Sequence, residues 1–322
     1  MTGAAGFIGA KVAELLLDDG QRVVGVDNLN DAYDVRLKEW RLARLTKRDG
    51  FVFQRLDITQ RQALRDLAES GDLAGVEAVF NLAARAGVRQ SVADPWAYVD
   101  TNVTGTLNLL ELCRERGIKK FILASTSSLY GAGNPMPYRE DADTSRPLSP
   151  YAASKKGAEA LCHSYHYLHG LDVTVFRYFT VYGPAGRPDM SLFRFVQWVS
   201  EGRPVLIFGD GTQSRDFTYV DDIARGTILG LKPLGYEVIN LGSDRPVVLL
   251  DALRLVEKLV GKAAQIDFQP AAPADVPATW ANIDKARATL GWEPRMTTER
   301  GVRNLVDWYQ AERAWAKALA TE

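Results

Sequence analysis

Short runs rich in β-branched residues alternate with helix-like stretches through the first half of the chain. The strand candidates are residues 22–27, 51–58, 78–84 and 119–127, and amphipathic segments such as 11–18, 62–69 and 98–115 separate them. Because parallel strands need a crossover between them, this alternation predicts an α/β fold with a doubly wound parallel sheet and helices on both faces.

The second half continues the pattern less regularly. Residues 172–178 and 238–241 are further strand candidates, whereas proline and glycine interrupt the pattern at 183–188 and 202–204. We therefore predict a larger domain over residues 1–180, joined by a segment that returns at about 215–245. A smaller C-terminal lobe is expected from residues 181–214 and 246–322.

Charge and cysteine content argue against several classes of protein. Acidic and basic residues are interspersed, with a net charge of −1, which disfavours a nucleic-acid or membrane-binding surface. No apolar run approaches the ~20 residues that span a bilayer, and we expect no secretion signal. Cys113 and Cys162 lie in helix-like segments, as expected of buried thiols in a reducing compartment. A soluble, cytoplasmic protein is predicted.

Gly3, Gly6 and Gly9 are spaced as in a dinucleotide-binding loop, although such a triplet also occurs in plain turns. The glycines would allow the pyrophosphate to approach a helix N-terminus. Asp27 ends a predicted strand, where its carboxylate suits the ribose hydroxyls of NAD and repels the 2′-phosphate of NADP. NAD is therefore the predicted cofactor. Asp57 ends the next strand and is either at the adenine edge or a helix cap.

Only Met1 and Thr2 precede the glycines. A dinucleotide-binding unit normally has a buried strand directly before them, so most of that strand is expected to be missing. Either the recorded start lies downstream of the true one or the chain is truncated, and a missing strand would weaken stability and cofactor binding.

Tyr151 and Lys155 lie one helical turn apart, which places the phenol and the ammonium on the same helix face. A cation beside a phenol favours the phenolate and lowers its pKa from the usual value of ~10. Together with the glycine loop, this pair predicts a hydride-transfer enzyme that takes a proton from a sugar or alcohol hydroxyl.

Several motifs carry a resemblance over essentially the whole chain: TGAAGFIG at 2–9, DNLN at 27–30, NLAA at 81–84, STSSLYG at 125–131, YxxxK at 151–155 and RDF at 215–217. They resemble the extended short-chain dehydrogenase/reductase family, and within it the NAD-dependent nucleotide-sugar epimerases, which implies a Rossmann fold. The predicted cofactor-binding residues are Gly3, Gly6, Phe7, Ile8, Gly9, Asp27, Asn28, Asn30, Asp57, Ile58, Leu82, Ala83, Ala84, Asn102, Tyr151, Lys155 and Tyr178.

The resemblance also implies catalytic roles. Tyr151 would take the proton from O4 of the sugar, and Lys155 would hold the nicotinamide ribose and lower the pKa of the tyrosine. Thr126 would hydrogen-bond the reacting oxygen. Related dehydratases have an Asp-Glu pair after this threonine and related decarboxylases a nearby glutamate, whereas this chain has Ser127 and Ser128. Elimination then lacks its general acid, which favours simple 4-epimerisation.

Residues 27–38, 179–184 and 186–190 resemble UDP-glucuronate 4-epimerases, so the predicted reaction converts UDP-glucuronate to UDP-galacturonate. A cradle of hydroxyl groups would hold the sugar carboxylate. UDP-glucose/UDP-galactose 4-epimerisation and a non-catalytic NAD-binding sensor are the alternatives. The predicted substrate-binding residues are Arg89, Thr126, Ser127, Ser128, Thr180, Arg187, Val205, Phe208, Arg215 and Asp275.

Within that set, Arg215 is assigned to the diphosphate and Asp275 to the uridine ribose. Phe208 either packs on the uracil, with Val205 and Leu206 beside it, or is a core aromatic on a short strand. Arg89 and Arg187 are equally well explained as surface arginines.

Two helices carry further features. Three histidines recur at every third residue, at His163, His166 and His169, but this spacing drifts around a helix, so no metal site is predicted. The resemblance implies a homodimer through two helices per subunit, in agreement with surplus apolar residues at Val99, Val103, Leu107 and Leu161.

Overall fold

The computed structural model describes residues 1–271 and 276–321. The helices are Phe7–Asp18 (α1), Val35–Leu45 (α2), Arg61–Glu69 (α3), Val88–Ala93 (α4), Pro95–Val99 (α5), Gly105–Arg116 (α6), Pro150–His169 (α7), Ser191–Glu201 (α8), Val220–Leu229 (α9), Leu249–Val260 (α10), Asp284–Leu290 (α11) and Thr298–Ala316 (α12). The strands are Val23–Asp27 (β1), Phe51–Arg55 (β2), Ala78–Asn81 (β3), Lys120–Thr126 (β4), Asp172–Tyr178 (β5), Thr180–Tyr182 (β6), Pro204–Phe208 (β7), Ser214–Tyr219 (β8), Tyr236–Leu241 (β9), Pro246–Val248 (β10) and Gln265–Gln269 (β11).

The core is a parallel sheet whose order is β2-β1, then Thr2, then β3-β4-β5-β9. Thr2 bridges Val26 on one side and Asn81 on the other. The backbone N–H of Thr2 donates to Phe80 O at 2.9 Å, and that of Val26 donates to Met1 O at 2.8 Å. Residues 1–2 therefore occupy the position of the strand that normally precedes the glycines, and β1 and β3 are joined through them.

Helices cover both faces of this sheet, which confirms the predicted α/β class. One face is packed by α1 and α9, and the other by α3, α6 and α7. Every residue of β4 is buried, as expected for a central parallel strand covered on both sides.

The helix predicted over 98–115 is interrupted in the structure. Between α5 and α6 lies one turn of π-helix, Asp100–Thr104. Within it, the Asn102 side-chain amide forms hydrogen bonds with the Arg85 backbone and the Ser154 hydroxyl. The Thr106 hydroxyl donates to Asn102 O at 2.7 Å. Such bulges are frequent at functional sites, and here the bulge directs the Asn102 amide to Ser154, three residues after Tyr151.

The C-terminal lobe contains a sheet of β10-β8-β6 and a parallel pair, β11-β7. Helices α8, α10 and α12 pack around them in a separate hydrophobic core that includes Val205, Phe217 and Tyr309. After β8, the chain returns to the main domain, where α9 packs on α1 and β9 completes the core sheet. Among the described residues, no helix combines the length and apolarity needed to cross a membrane.

Candidate active site

A cavity of about 560 Å³ opens at the carboxyl edge of the core sheet, between that sheet and the C-terminal lobe. The strand order reverses on either side of Thr2, and open parallel sheets bind ligands at such a switch point. The predicted residues that line the cavity are Gly3, Gly6, Phe7, Ile8, Gly9, Asp27, Asn28, Asn30, Asp57, Ile58, Leu82, Ala83, Ala84, Arg89, Thr126, Ser127, Ser128, Tyr151, Tyr178, Thr180, Arg187, Phe208 and Arg215.

Asp27 lies at one end of the cavity, at the end of β1. Its buried carboxylate accepts hydrogen bonds from the backbone N–H groups of Ala5 at 3.1 Å and Leu29 at 2.8 Å. An ionised carboxylate has about four acceptor positions, so it can also bind a ribose diol. The side chain therefore fixes the glycine loop and presents acceptors to the cavity.

Asp57 lies at the edge of the cavity and does not cap the following helix. It lines the cavity, and its carboxylate accepts hydrogen bonds from Asn28 Nδ2 at 2.7 Å and from the Thr59 backbone at 2.9 Å. Burial alone would raise the pKa of Asp57, but the hydrogen bonds from Thr59 and Asn28 outweigh it and lower the pKa. The N-cap residue of α3 is Gln60, so Asp57 closes the preceding turn rather than capping the helix.

The glycine loop brings α1 against the segment that follows β3. Gly3 has a φ of +70°, and a Cβ there would lie 2.7 Å from the Ala83 nitrogen. A Cβ on Gly9 would lie 2.0 Å from the Gly3 oxygen. Gly6 precedes α1 without a side-chain cap, so the first N–H groups of the helix are available to an anion. These residues, together with Asp27, fit NAD.

Tyr151 lies at the other end of the cavity, in the first turn of α7. The helix begins there because the Ser149 hydroxyl accepts the Ala152 N–H at 3.2 Å and Pro150 occupies the first position. Burial raises the pKa of Tyr151, and the Thr126 hydrogen bond and the Arg187 charge act in the opposite direction. The phenol is thus held beside the Thr126 hydroxyl, which is the group predicted to hydrogen-bond the reacting oxygen.

The predicted effect of Lys155 on Tyr151 is wrong for this structure. The pKa of Tyr151 is raised, and Lys155 is not among the groups that lower it. The ammonium is buried behind the cavity wall and donates to Ala124 O at 2.9 Å. Burial lowers the pKa of Lys155 to about 8, while the Glu159 carboxylate one turn below acts to raise it. Spacing on a helix sets the face of a side chain but not the direction of its terminal atoms.

Asn102 lies behind the cavity wall rather than among the lining residues. Its Nδ2 donates to Arg85 O at 3.0 Å and to Ser154 Oγ at 2.9 Å, and its Oδ1 accepts the Arg85 N–H at 2.9 Å. Direct cofactor binding by Asn102 is therefore not what the structure shows. These bonds tie the segment after β3 to α7.

Hydroxyl groups line the cavity around Tyr151. The Thr126 hydroxyl donates to Ser128 Oγ at 3.1 Å and accepts the Ser128 N–H at the same distance. Ser127 and Thr180 line the same cavity. Among the described residues, the lining carboxylates are Asp27, Asp57 and Asp189.

Asp189 was not predicted from the sequence, and it pairs with Arg187. The Arg187 guanidinium donates to both carboxylate oxygens, at 3.1 and 2.6 Å, and also to Ala86 O at 3.3 Å. Arg187 therefore reaches from the lobe side of the cavity to the loop after β3. A cation two residues before a carboxylate was the available sequence signal.

Phe208 and Arg89 meet across the cavity, with the guanidinium carbon 4.1 Å from the ring centroid. The prediction that Val205 lies beside Phe208 in the site is wrong, because Val205 is 0% exposed in the lobe core. Side chains alternate along β7, so Leu206 and Phe208 face the cavity and Val205 faces away.

Arg215 lines the cavity at the start of β8, where its guanidinium also donates to Ser214 O at 2.8 Å. The buried Asp216 beside it accepts backbone N–H groups of Asp244 at 3.1 Å and Ala281 at 3.0 Å, which fixes this strand in the lobe. Asp275 lies outside the described residues.

The histidines of α7 are occupied by local contacts. The rings of His163 and His166 lie 4.9 and 5.7 Å from the Tyr236 ring, and His166 Nδ1 is 2.9 Å from Leu171 O. His169 lies 5.2 Å from Tyr165.

Residues 1–242 match the model of the NAD dependent epimerase/dehydratase family. The UDP-glucuronate 4-epimerase of Thermodesulfobacterium geofontis (strain OPF15) is 57% identical over 309 residues, which cover 96% of this chain and 94% of that protein. The solved structure of UDP-glucuronic acid 4-epimerase from Bacillus cereus, in complex with UDP-glucuronic acid and NAD, is 38% identical with a TM-score of 0.89, over 97% of this chain and 98% of that one. UDP-glucose 4-epimerase from Thermotoga maritima, with UDP-glucose, is 32% identical with a TM-score of 0.88, over 97% and 98%.

The cavity at the switch point joins a dinucleotide loop to a buried Tyr–Thr pair, and the similarity extends over nearly the full chain. This chain belongs to the NAD dependent epimerase/dehydratase family.

Proposed function

We propose that this protein is an NAD-dependent UDP-sugar 4-epimerase that interconverts UDP-glucuronate and UDP-galacturonate. The observation that carries the proposal is the composition of the cavity around Tyr151, where hydroxyls of Thr126, Ser127 and Ser128 stand in place of an acid–base pair. The relative from Thermodesulfobacterium geofontis, at 57% identity, supports the choice of sugar.

Tyr151 and Thr126 handle the proton. The phenolate form of Tyr151 takes the proton of the sugar O4 hydroxyl and later returns it, while Thr126 holds the same oxygen by a hydrogen bond. NAD, when bound, supplies reversible hydride acceptance at C4. Epimerisation then requires the 4-ketone to present its other face, and the cavity needs no further acid for that step.

Substrate recognition follows from the lobe side of the cavity. We assign Arg215, which lines the cavity, to the diphosphate, since a planar guanidinium matches phosphate oxygens bidentately. We assign Phe208 and Arg89 to the nucleotide end and Thr180 to the sugar carboxylate, together with the serines. The cytoplasm is the proposed location, in agreement with two free, buried thiols at Cys113 and Cys162.

Product analysis by NMR tests the reaction. Purified protein is incubated with UDP-glucuronate and, separately, with UDP-glucose. We expect UDP-galacturonate from the first and little product from the second. UDP-galactose alone would reassign the sugar, and a UDP-pentose would mean that the hydroxyls do not prevent decarboxylation.

Tyr151→Phe distinguishes an enzyme from a sensor. The variant should lose at least 10²-fold in turnover, the usual contribution of a general base, while still binding NAD. Tyr167→Phe is the matched control, because Tyr167 lies on the same helix and is 81% exposed. No turnover in the parent protein with intact NAD binding would support the sensor.

We also propose a homodimer through α7 and the α5–α6 segment. Trp96 and Val99 on α5, and Leu168 on α7, are exposed apolar side chains on these helices. Size-exclusion chromatography with light scattering should give twice the mass of 35.6 kDa. A double change, Trp96→Ser with Leu168→Ser, should shift the protein towards monomer, and an unchanged mass would contradict this surface.

A further inference from the structure

Arg41 on α2 is buried, at 4% exposed, yet it is not among the lining residues of the cavity. Its guanidinium donates to carbonyl oxygens from two loops. On one side Nη1 bonds Ala5 O at 3.0 Å, and on the other Nε and Nη2 bond Ala185 O at 3.1 and 2.6 Å. One side chain therefore links the glycine loop of the main domain to the loop that carries Arg187.

The Ala5 side of this link reaches the cofactor end. The Ala5 N–H donates to Asp27 at 3.1 Å, and the Ala5 carbonyl accepts from Arg41 at 3.0 Å. A shift of Arg41 therefore moves a residue in the middle of the glycine loop, whose neighbours Gly3 and Gly6 line the cavity.

The Ala185 side reaches the substrate end. Ala185 has a φ of +51°, a left-handed conformation that is unfavourable for a residue with a Cβ. Arg41 stabilises it through two bonds to the Ala185 carbonyl, with a longer bond to Gly186 O at 3.4 Å. Arg187 follows directly, and its guanidinium reaches across the cavity to Ala86 O.

The geometry requires an arginine. A planar guanidinium has five N–H donors in a fixed fork and can bond carbonyls in two directions at once. Among the described residues, the hydrogen-bond partners of Arg41 are these carbonyls and the Tyr33 hydroxyl at 2.8 Å. A lysine would keep the charge, but its three donors share one nitrogen, so it lacks the planar fork that reaches the Ala5 and Ala185 carbonyls in two directions.

We propose that Arg41 is a positioning residue that couples the cofactor loop to the Arg187 loop, so that NAD and the UDP-sugar each strengthen the binding of the other. The inference rests on the proposed function for the identity of the second ligand. Binding free energies at two sites are reciprocal, so the coupling is measurable from either ligand.

The test measures the dissociation constant of NAD with and without saturating UDP-glucuronate, and again with UDP-glucose, by calorimetry. Tyr151→Phe is the common background, because it prevents turnover. We expect the sugar nucleotide to tighten NAD binding at least fivefold in this background, and less than twofold when Arg41→Lys is added. Arg44→Lys is the matched control, since Arg44 is exposed on the same helix and stacks on Trp40. It should keep the full coupling.

A purely structural role for Arg41 would lower the melting temperature but leave the coupling ratio unchanged, and that result overturns the inference. A second measurement needs no variant at position 41. In the parent protein, NAD alone should slow hydrogen exchange of the peptide containing Ala185 and Arg187 severalfold, and unchanged exchange also overturns it.

These measurements also distinguish a failure of the proposed function from a failure of the coupling role of Arg41. Coupling by UDP-glucose but not by UDP-glucuronate would reject the uronate assignment while supporting Arg41. UDP-galacturonate production by the parent, with equal coupling in the parent and in Arg41→Lys, would support the function and reject the coupling role.

Discussion

Replacing the buried Lys155 by methionine should make the protein more stable. Lys155 is 3% exposed, and burial lowers the pKa of its ammonium from 10.5 to about 8. A charged side chain with a lower pKa in the fold than in the unfolded chain destabilises the fold wherever it is protonated. Methionine has a similar length and carries no charge, so Lys155→Met removes this cost.

The size and pH dependence of the effect follow from the two pKa values. With 10.5 unfolded and about 8 folded, the charge costs about 3 kcal/mol at pH 7 and about 2 kcal/mol at pH 9. Because the pKa of Lys155 is lower in the folded protein, burying its charge reduces stability by the full amount below pH 8. This destabilisation shrinks as the pH rises from 8 towards 10.5. Loss of the bond to Ala124 O subtracts about 1 kcal/mol. The net gain is thus about 2 kcal/mol at pH 7 and about 1 kcal/mol at pH 9.

Urea denaturation of the cofactor-free parent and Lys155→Met variant at the two pH values measures this gain in stability. NAD must be removed first, because a bound ligand stabilises the fold in proportion to its affinity. The exposed Lys119 provides the control, since Lys119→Met makes the same chemical change in water. A Lys155→Met variant less stable than the parent at pH 7, or an advantage that does not shrink by pH 9, would refute the reasoning.

Three further outcomes are expected. Glu159→Gln removes the carboxylate that lies 2.9 Å from the buried Arg177 guanidinium. Urea titrations should show the free energy of unfolding lowered by about 3–5 kcal/mol. A loss below about 1 kcal/mol would argue against a buried ion pair of this strength. Ser128→Asp places a carboxylate among the hydroxyls and should raise the KM for UDP-glucuronate about tenfold or more, but not that for UDP-glucose, by like-charge repulsion; an equal change for both sugars would contradict that cause. Val205→Ala should reduce the free energy of unfolding by about 1–3 kcal/mol with an unchanged KM, whereas Leu206→Ala should change KM. The reverse pattern would mean that Val205, not Leu206, contacts the substrate.

The fold class was accessible from the sequence because hydrophobic periodicity and glycine spacing are local. Strand β5 was predicted at its observed bounds, Asp172–Tyr178. Residues 82–84 were assigned to a strand that instead ends at Asn81, because the segment leaves the sheet to line the cavity. A strand and the extended loop that follows it have similar residue preferences, so the sequence does not mark the boundary.

Other features of the site depend on tertiary contacts that no local pattern encodes. Val205 and Leu206 are equally apolar, and the face that each presents is set by how β7 pairs with β11 in the lobe. Arg41 looks like an ordinary polar residue of an amphipathic helix until the fold brings Ala5 and Ala185 to it. The π-helical turn at Asn102 has the same origin, because its partners Arg85 and Ser154 are distant in sequence.

The pairing of Arg187 with Asp189 bears on how a uronate would survive the reaction. Oxidation at C4 makes the sugar a β-keto acid, which loses carbon dioxide most readily when its carboxylate is desolvated or strained. An unpaired cation would pull the carboxylate out of its hydroxyl contacts, whereas Arg187 is held at 2.6 Å by Asp189 and also bonds Ala86 O. The hydroxyls of Ser127, Ser128 and Thr180 would then provide the hydrogen bonds that replace water. Such a cavity would retain the carboxylate for the time that the 4-ketone needs to turn, which is the requirement that separates an epimerase from a decarboxylase.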